Sequence, residues 1–154
     1  MKRLVLPVLF ALAAPGCMHS TAVVAEPEQQ RTQEVGKCEL VQTLMHEQVP
    51  QQVLSGMLAE GHEGPFQVVV FVRRPEEAQL ERLFAGDEPS CSGTNYKVVR
   101  EITQESVVLF LQPRGNGYAY DAQRATPDNL PLGGSARGAV KKQDGGGWAI
   151  SNDI

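Results

Sequence analysis

Residues 97–121, KVVREITQESVVLFLQPRGNGYAYD, decide how this chain folds. Two apolar runs, Lys97–Ile102 and Val107–Gln112, are separated by Thr103-Gln104-Glu105, which has turn composition. Pro113-Arg114-Gly115-Asn116 then leads into Gly117–Asp121, where Tyr118 and Tyr120 alternate with smaller residues. Short β-branched and aromatic runs punctuated by Gly, Pro and Asn read as successive strands joined by turns. Arg137–Lys142 and Trp148–Ser151 continue the pattern, and Asp144-Gly145-Gly146 between them suits a tight hairpin that needs positive φ. Thr126–Gly134, containing Pro127, Pro131 and two glycines, is the one long loop in this meander.

Upstream of these strands the period changes. Leu40, Val41, Leu44 and Met45 share one helical face, and the spacing returns at Val53, Leu54, Met57 and Leu58. Pro50 falls between the two sets, where its missing amide donor starts a second helix or kinks a continuous one. Gly61, Gly64 and Pro65 stop the helix. Gln67–Arg73, carrying Val68-Val69-Val70-Phe71-Val72, reads as a buried strand. After Pro75, residues 76–84 read as a short amphipathic helix with acids first and Gly86 at its end. Asp87–Asn95, holding Cys91, reads as a loop. Helices first and strands after predict an α+β domain over residues 37–154, with N-terminal helices packed on an antiparallel β-meander sheet.

The 154 residues carry a formal charge of −4, with 42% hydrophobic and 21% charged residues, ordinary values for one globular domain. Removing residues 1–16 takes away Lys2 and Arg3, leaving 12 basic against 18 acidic side chains, or −6. An acidic chain lacks the concentrated basic face that phosphate binding needs, so no nucleic-acid partner is expected. Arg73-Arg74 and Lys141-Lys142 read as solvated strand edges.

The N-terminus is organised for export. Lys2 and Arg3 precede an apolar run, Leu4–Ala14, that is interrupted by Pro7 and far shorter than the roughly 20 residues a bilayer core requires. Ala14-Pro15-Gly16-Cys17 resembles the lipobox of bacterial lipoproteins, with Ala14 where that family usually has leucine and Pro15 uncommon inside the site. The resemblance implies a signal peptide over residues 1–16, lipid (palmitate among its chains) on Cys17, and an anchor in the cell envelope. Met18 after the cysteine, in place of an aspartate, implies outer-membrane sorting in a two-membrane cell. A second site, Val23-Val24-Ala25 before Glu26, has the small-x-small character of ordinary signal peptidase cleavage and would release the protein. Residues 18–36, without a period of 2 or 3.6, read with Cys17 as a flexible tether; nineteen such residues span ~25 Å.

Cys38 and Cys91 remain in the mature chain after either cleavage. An even pair in an oxidising compartment is expected to form a disulfide, with two separate thiols as the alternative reading. No C-x-x-C spacing points to redox catalysis.

Residues 139–150, Ala139-Val140-Lys141-Lys142 through Trp148-Ala149-Ile150, resemble the last hairpin of NTF2-like and cystatin-like domains. That resemblance covers about a dozen residues, implies an α+β architecture and carries no activity.

Catalytic spacings are absent. His46-Glu47 and His62-Glu63 begin like HExxH, but Pro50 and Phe66 stand where the second histidine belongs, so no metal ligand set is expected. Ser135 follows Gly133-Gly134 without the second glycine of a nucleophile elbow, and the glycine clusters at 115–117 and 145–147 lack P-loop and dinucleotide signatures. Glu76-Glu77 and Asp87-Glu88 could act as acid–base pairs only if buried together. Tyr118 and Tyr120 must share a strand face, and with Tyr96 or Trp148 they form a candidate binding patch; packing against the core is the competing reading. No cofactor and no catalytic residue are expected. The expected function is a non-catalytic binding or assembly lipoprotein contacting another envelope protein; the alternatives are a secreted effector or inhibitor cleaved after Ala25, and an envelope enzyme with an NTF2-like pocket.

Overall fold

The computed structural model describes residues 27–47, 50–73, 79–128 and 131–151. The expected signal peptide, Cys17 and residues 18–26 of the expected tether lie outside the described residues, as do 74–78. Helix α1 spans Pro27–Glu47. Its C-terminal half buries Leu40, Val41, Leu44 and Met45, each at most 1% exposed, as their i, i+1, i+4, i+5 spacing dictates. The helix also takes in residues 27–36, which the sequence reading assigned to a flexible tether. Proline at the first position and the helix formers Glu28, Gln29, Gln30, Arg31 and Gln33 explain the extension. A helix nucleated by its packed half propagates into such residues at little cost.

Pro50 opens a separate wide turn, Pro50–Leu54, that runs into α2, Ser55–Ala59. Val53, Leu54 and Met57 are buried, whereas Leu58, expected on the same face, is exposed. Gly61, at φ 84, terminates α2: its amide donates to Leu58 O (3.0 Å) and that of His62 to Met57 O (3.1 Å). This is a Schellman end, in which glycine takes the left-handed position and the two bonds satisfy the last carbonyls.

Seven strands form one sheet: β1 (Phe66–Arg73), β2 (Leu80–Arg82), β3 (Tyr96–Val98), β4 (Ser106–Arg114), β5 (Gly117–Ala125), β6 (Pro131–Lys142) and β7 (Trp148–Ser151). The order is β2-β1-β4-β5-β6-β7, with β3 beside the first half of β1 on the edge that β2 covers further along. From β4 onward the sheet is the expected antiparallel meander, turning at Gly115 (φ 58) and at Gly146 and Gly147 (φ 88 and 78). The first part corrects that expectation: β1 runs parallel to both β3 and β4, so the sheet is mixed. The 32 residues from 74 to 105 that join β1 to β4 are long enough for the chain to return to its starting end, which a parallel neighbour requires.

Leu80–Arg82, expected inside a helix, pairs with Phe71–Arg73 as an antiparallel edge strand. A short apolar run is ambiguous in period, and an unpaired β1 edge offers it three backbone partners. Positions 76–78 of that expected helix lie outside the described residues. β6 begins at Pro131, within the expected loop, and its register with β5 shifts after Gln123: Gln123 faces Ser135 but Arg124 faces Leu132. Gly133 and Gly134 fill this bulge.

The register gives the two faces different tasks. Val68, Val70, Val107, Leu109, Leu111, Tyr120, Ala122, Ala136 and Val140 point to the helices and form one buried cluster with Leu40, Leu44, Val53 and Met57. Truncating a core leucine such as Leu109 to alanine costs about 2–5 kcal/mol in interiors of this kind. The helical layer is also tied down covalently and by hydrogen bonding. Cys38 of α1 is bonded to Cys91, with Cα atoms 4.7 Å apart, and Trp148 Nε1 donates to Gly36 O at 3.0 Å. The expected disulfide is therefore present.

Candidate functional site

The expected aromatic patch lies on the helix-covered face. Tyr120 is 4% exposed with its ring against Gly138, where an added Cβ would stand 2.8 Å from the hydroxyl oxygen. Burial pushes the Tyr120 hydroxyl above its ordinary pKa. Tyr118 and Trp148 have ring centroids 5.8 Å apart, are half-buried and pack on the core beside α1. Tyr118, Tyr120 and Trp148 thus do come together, but as a seam between helix and sheet rather than as an open platform. Tyr96 is half-buried beside the same core through β3.

The opposite face of the sheet carries no helix among the described residues. Part of it is covered by the loop preceding β4. Gln67, 5% exposed, holds that loop: Thr103 N donates to Gln67 Oε1 (2.7 Å) and Gln67 Nε2 donates to Thr103 Oγ1 (2.8 Å). Val69 and Val108 are buried beneath it, lining a crevice with Ile102 and Pro127. Beyond the loop the face opens.

There the rows of the sheet place unlike side chains side by side. Phe71 and Phe110 are direct cross-strand partners, half-buried, with rings stacked at 5.8 Å and 18°. Arg82, opposite Phe71 on β2, lies over that ring at 5.4 Å, and its guanidinium donates to Arg100 O. On the other side Phe110 faces Asp121, and Asp121 faces Arg137. Asp121 Oδ2 accepts from Arg137 Nε (3.0 Å) and Gln123 Nε2 (3.1 Å), while Oδ1 has no partner among the described residues. Because Ala119 occupies the next row, a hollow of about 360 Å³ remains beside the Phe110 ring, bordered by Gln112, Asp121, Gln123 and Arg73. It is a shallow, preformed recess with one apolar wall and a polar rim.

A second polar constellation sits at the end of the helix-covered face. Arg124 follows Tyr120 and Ala122 on the core side of β5 and is 8% exposed. Its Nε donates to Glu105 Oε1 (2.7 Å), and Nη1 and Nη2 reach Glu60 Oε1 (2.9 Å) and Oε2 (2.6 Å). Nη2 also meets Glu105 Oε1. Gly56 lets the guanidinium approach, since a Cβ there would lie 3.2 Å from Nη1. The paired Arg124 holds the Glu60 carboxyl below the usual range, and the carboxylates in turn push the guanidinium further up. His62 completes the group, with Nε2 3.4 Å from Glu105 Oε2 and 3.9 Å from Glu60 Oε2.

Donor atoms of Glu60, His62 and Glu105 lie within 4.8 Å of one another, a set chemically able to hold a metal ion. Both carboxylates, however, are already engaged by Arg124, and the arrangement serves first to staple the end of α2 to β4 and β5. Spacing could not reveal it, because its members stand at 60, 62, 105 and 124. The available signal was an arginine in the core-facing alternation of β5.

His46 and His62 are both exposed. Both cysteines of the described residues are bonded to each other, so neither offers a thiolate. Ser135 is exposed on β6 next to the bulge. No family model, curated protein or solved structure matches this chain. No helix among the described residues is long and apolar enough to cross a membrane.

Proposed function

We propose that this protein is a non-catalytic binding lipoprotein of the cell envelope, anchored through lipid on Cys17 and contacting a partner through the face of its sheet that no helix among the described residues covers. The observation that carries the reading is the asymmetry of the sheet. One face is closed by helices, a disulfide and an ion-paired arginine; the other leaves a stacked phenylalanine pair and a preformed recess open to solvent. Aromatic and arginine side chains around a recess are the composition of protein-binding hot spots. The space between helices and sheet, where an NTF2-like enzyme would hold substrate, is occupied here by Leu40, Leu44, Met57, Leu109 and Tyr120. The disulfide supports an oxidising compartment.

The test has two arms. Replacing Cys17 by serine is expected to abolish lipid labelling and move the protein from the membrane to the soluble fraction; retention in the membrane would overturn the anchor. Crosslinking from detergent extracts, comparing the parent with Phe110→Ser, is expected to lose a defined envelope protein in the variant. Identical capture by both would remove the open face from the function.

A further inference from the structure

We infer that the open face of the sheet binds an acidic segment of another protein that carries one aliphatic or aromatic side chain, the apolar group entering the recess beside Phe110. The inference rests on the binding role proposed above and adds the chemistry of the partner.

Charge is the first ground. The chain as a whole is acidic, at −4, yet this face concentrates Arg73, Arg82 and Arg137 around the phenylalanine pair. Among the described residues of this face two carboxylates stand near the phenylalanine pair: Asp121 of β5, engaged by Arg137, and Glu101 of the loop preceding β4, which lines the crevice beside Phe71 and Arg82 and lies 3.9 Å from Arg100 Nε. Arg82 and Arg137 each spend part of a guanidinium on an internal acceptor, which leaves further N–H donors of the five directed elsewhere. A cationic face attracts an acidic partner over roughly a Debye length.

Shape is the second ground. A recess of about 360 Å³ is at the small end of ligand sites and suits one side chain rather than an extended molecule. Its wall is the Phe110 ring, held upright by stacking on Phe71, which in turn is held by Arg82. The anchor position is therefore rigid before the partner arrives, so little ordering cost is added on binding. Carboxylates flanking the inserted side chain meet Arg73, which lines the recess, and Arg137, which follows Asp121 in the Phe110–Asp121 row.

The experiment uses the mature disulfide-bonded protein, labelled for NMR, and three probes: a peptide alternating glutamate with leucine, the same peptide with lysine for glutamate, and vesicles containing anionic phospholipid. The glutamate peptide is expected to shift resonances of Phe71, Arg73, Phe110, Ala119 and Asp121. Its affinity should fall at least tenfold in Arg73→Glu and in Phe110→Ser, and fall steeply with added salt. Both variants alter exposed or half-exposed positions; an unchanged amide spectrum elsewhere shows that they fold. Preference for the lysine peptide, or the same shifts produced by the vesicles, overturns the acidic-segment assignment and leaves the binding role standing. No shift on this face with any probe, together with unchanged partner capture by Phe110→Ser, overturns both.

Discussion

Trp148 and Gly36, 112 residues apart, are joined by a hydrogen bond of 3.0 Å from the indole Nε1 to the backbone carbonyl. The last strand thereby fixes the middle of the first helix, and Tyr118 packs on the same indole ring. Trp148→Phe keeps much of the packing but removes the donor, so it is expected to lower stability by about 1 kcal/mol. Trp148→Ala also removes the ring contact and should cost about 2–3 kcal/mol, since the residue is half-buried. Urea midpoints of the two variants check the order, and a Trp148→Phe midpoint equal to the parent's would mean that the hydrogen bond contributes nothing.

The Cys38–Cys91 bond closes a span of 53 residues that holds α2, β1 and β2. Constraint of the unfolded chain gives a stabilisation of about 4 kcal/mol. The double variant Cys38→Ser, Cys91→Ser should lose most of that, measured by urea unfolding beside the parent. Cys91 is fully buried, so Cys91→Ala in place of serine is expected to soften the loss by sparing a buried hydroxyl.

Arg124 stabilises the end of α2 by engaging Glu60 and Glu105. Arg124→Met is expected to cost about 2 kcal/mol, because Glu105, with 15% of its side chain exposed, loses its counter-charge. Glu60 is more exposed, so Glu60→Gln should cost less than Glu105→Gln. The folded-state pKa of Glu60 is lowered, first through its hydrogen bonds from Arg124. Its contribution is therefore present above the ordinary glutamate value and disappears as pH falls through the lowered one. Urea titrations from about pH 6 to about pH 3 should show the gap between the parent and Arg124→Met narrowing toward the acid end. A gap that widens in acid would contradict the assigned sign.

Gly117 faces Lys141 at the start of β5, and a Cβ there would stand 2.0 Å from Val140 O, a backbone atom that cannot swing aside. Gly117→Ala is expected to cost about 2–3 kcal/mol through displaced strands. Gly115, two residues earlier, has open space but φ 58, so Gly115→Ala should cost about 1 kcal/mol from backbone strain alone. Thermal unfolding of the pair separates steric from conformational demand.

Much of this architecture is written locally. The 3.6 period of Leu40–Met45 fixes which side of α1 is buried. Gly61 fixes where α2 stops, and Asp144-Gly145-Gly146 where the last hairpin turns. The alternation of Tyr118, Tyr120 and Ala122 fixes one face of β5. Each signal involves neighbours within about one turn or one hairpin, where sequence distance and spatial distance agree.

Tertiary structure decided the rest. Val68–Val72 and Val107–Leu111 are apolar on both sides, so their sequences do not say which face receives the helices or that the two strands run parallel. Leu80–Arg82 is a strand because β1 presents it an edge, and residues 27–36 are helical as a continuation of the packed half of α1. The open phenylalanine face and the Arg124 cluster unite positions 71 with 110 and 60 with 124. Periodicity states which side a residue takes; only the pairing of distant segments, selected by joint burial and hydrogen-bond satisfaction, states what it finds there.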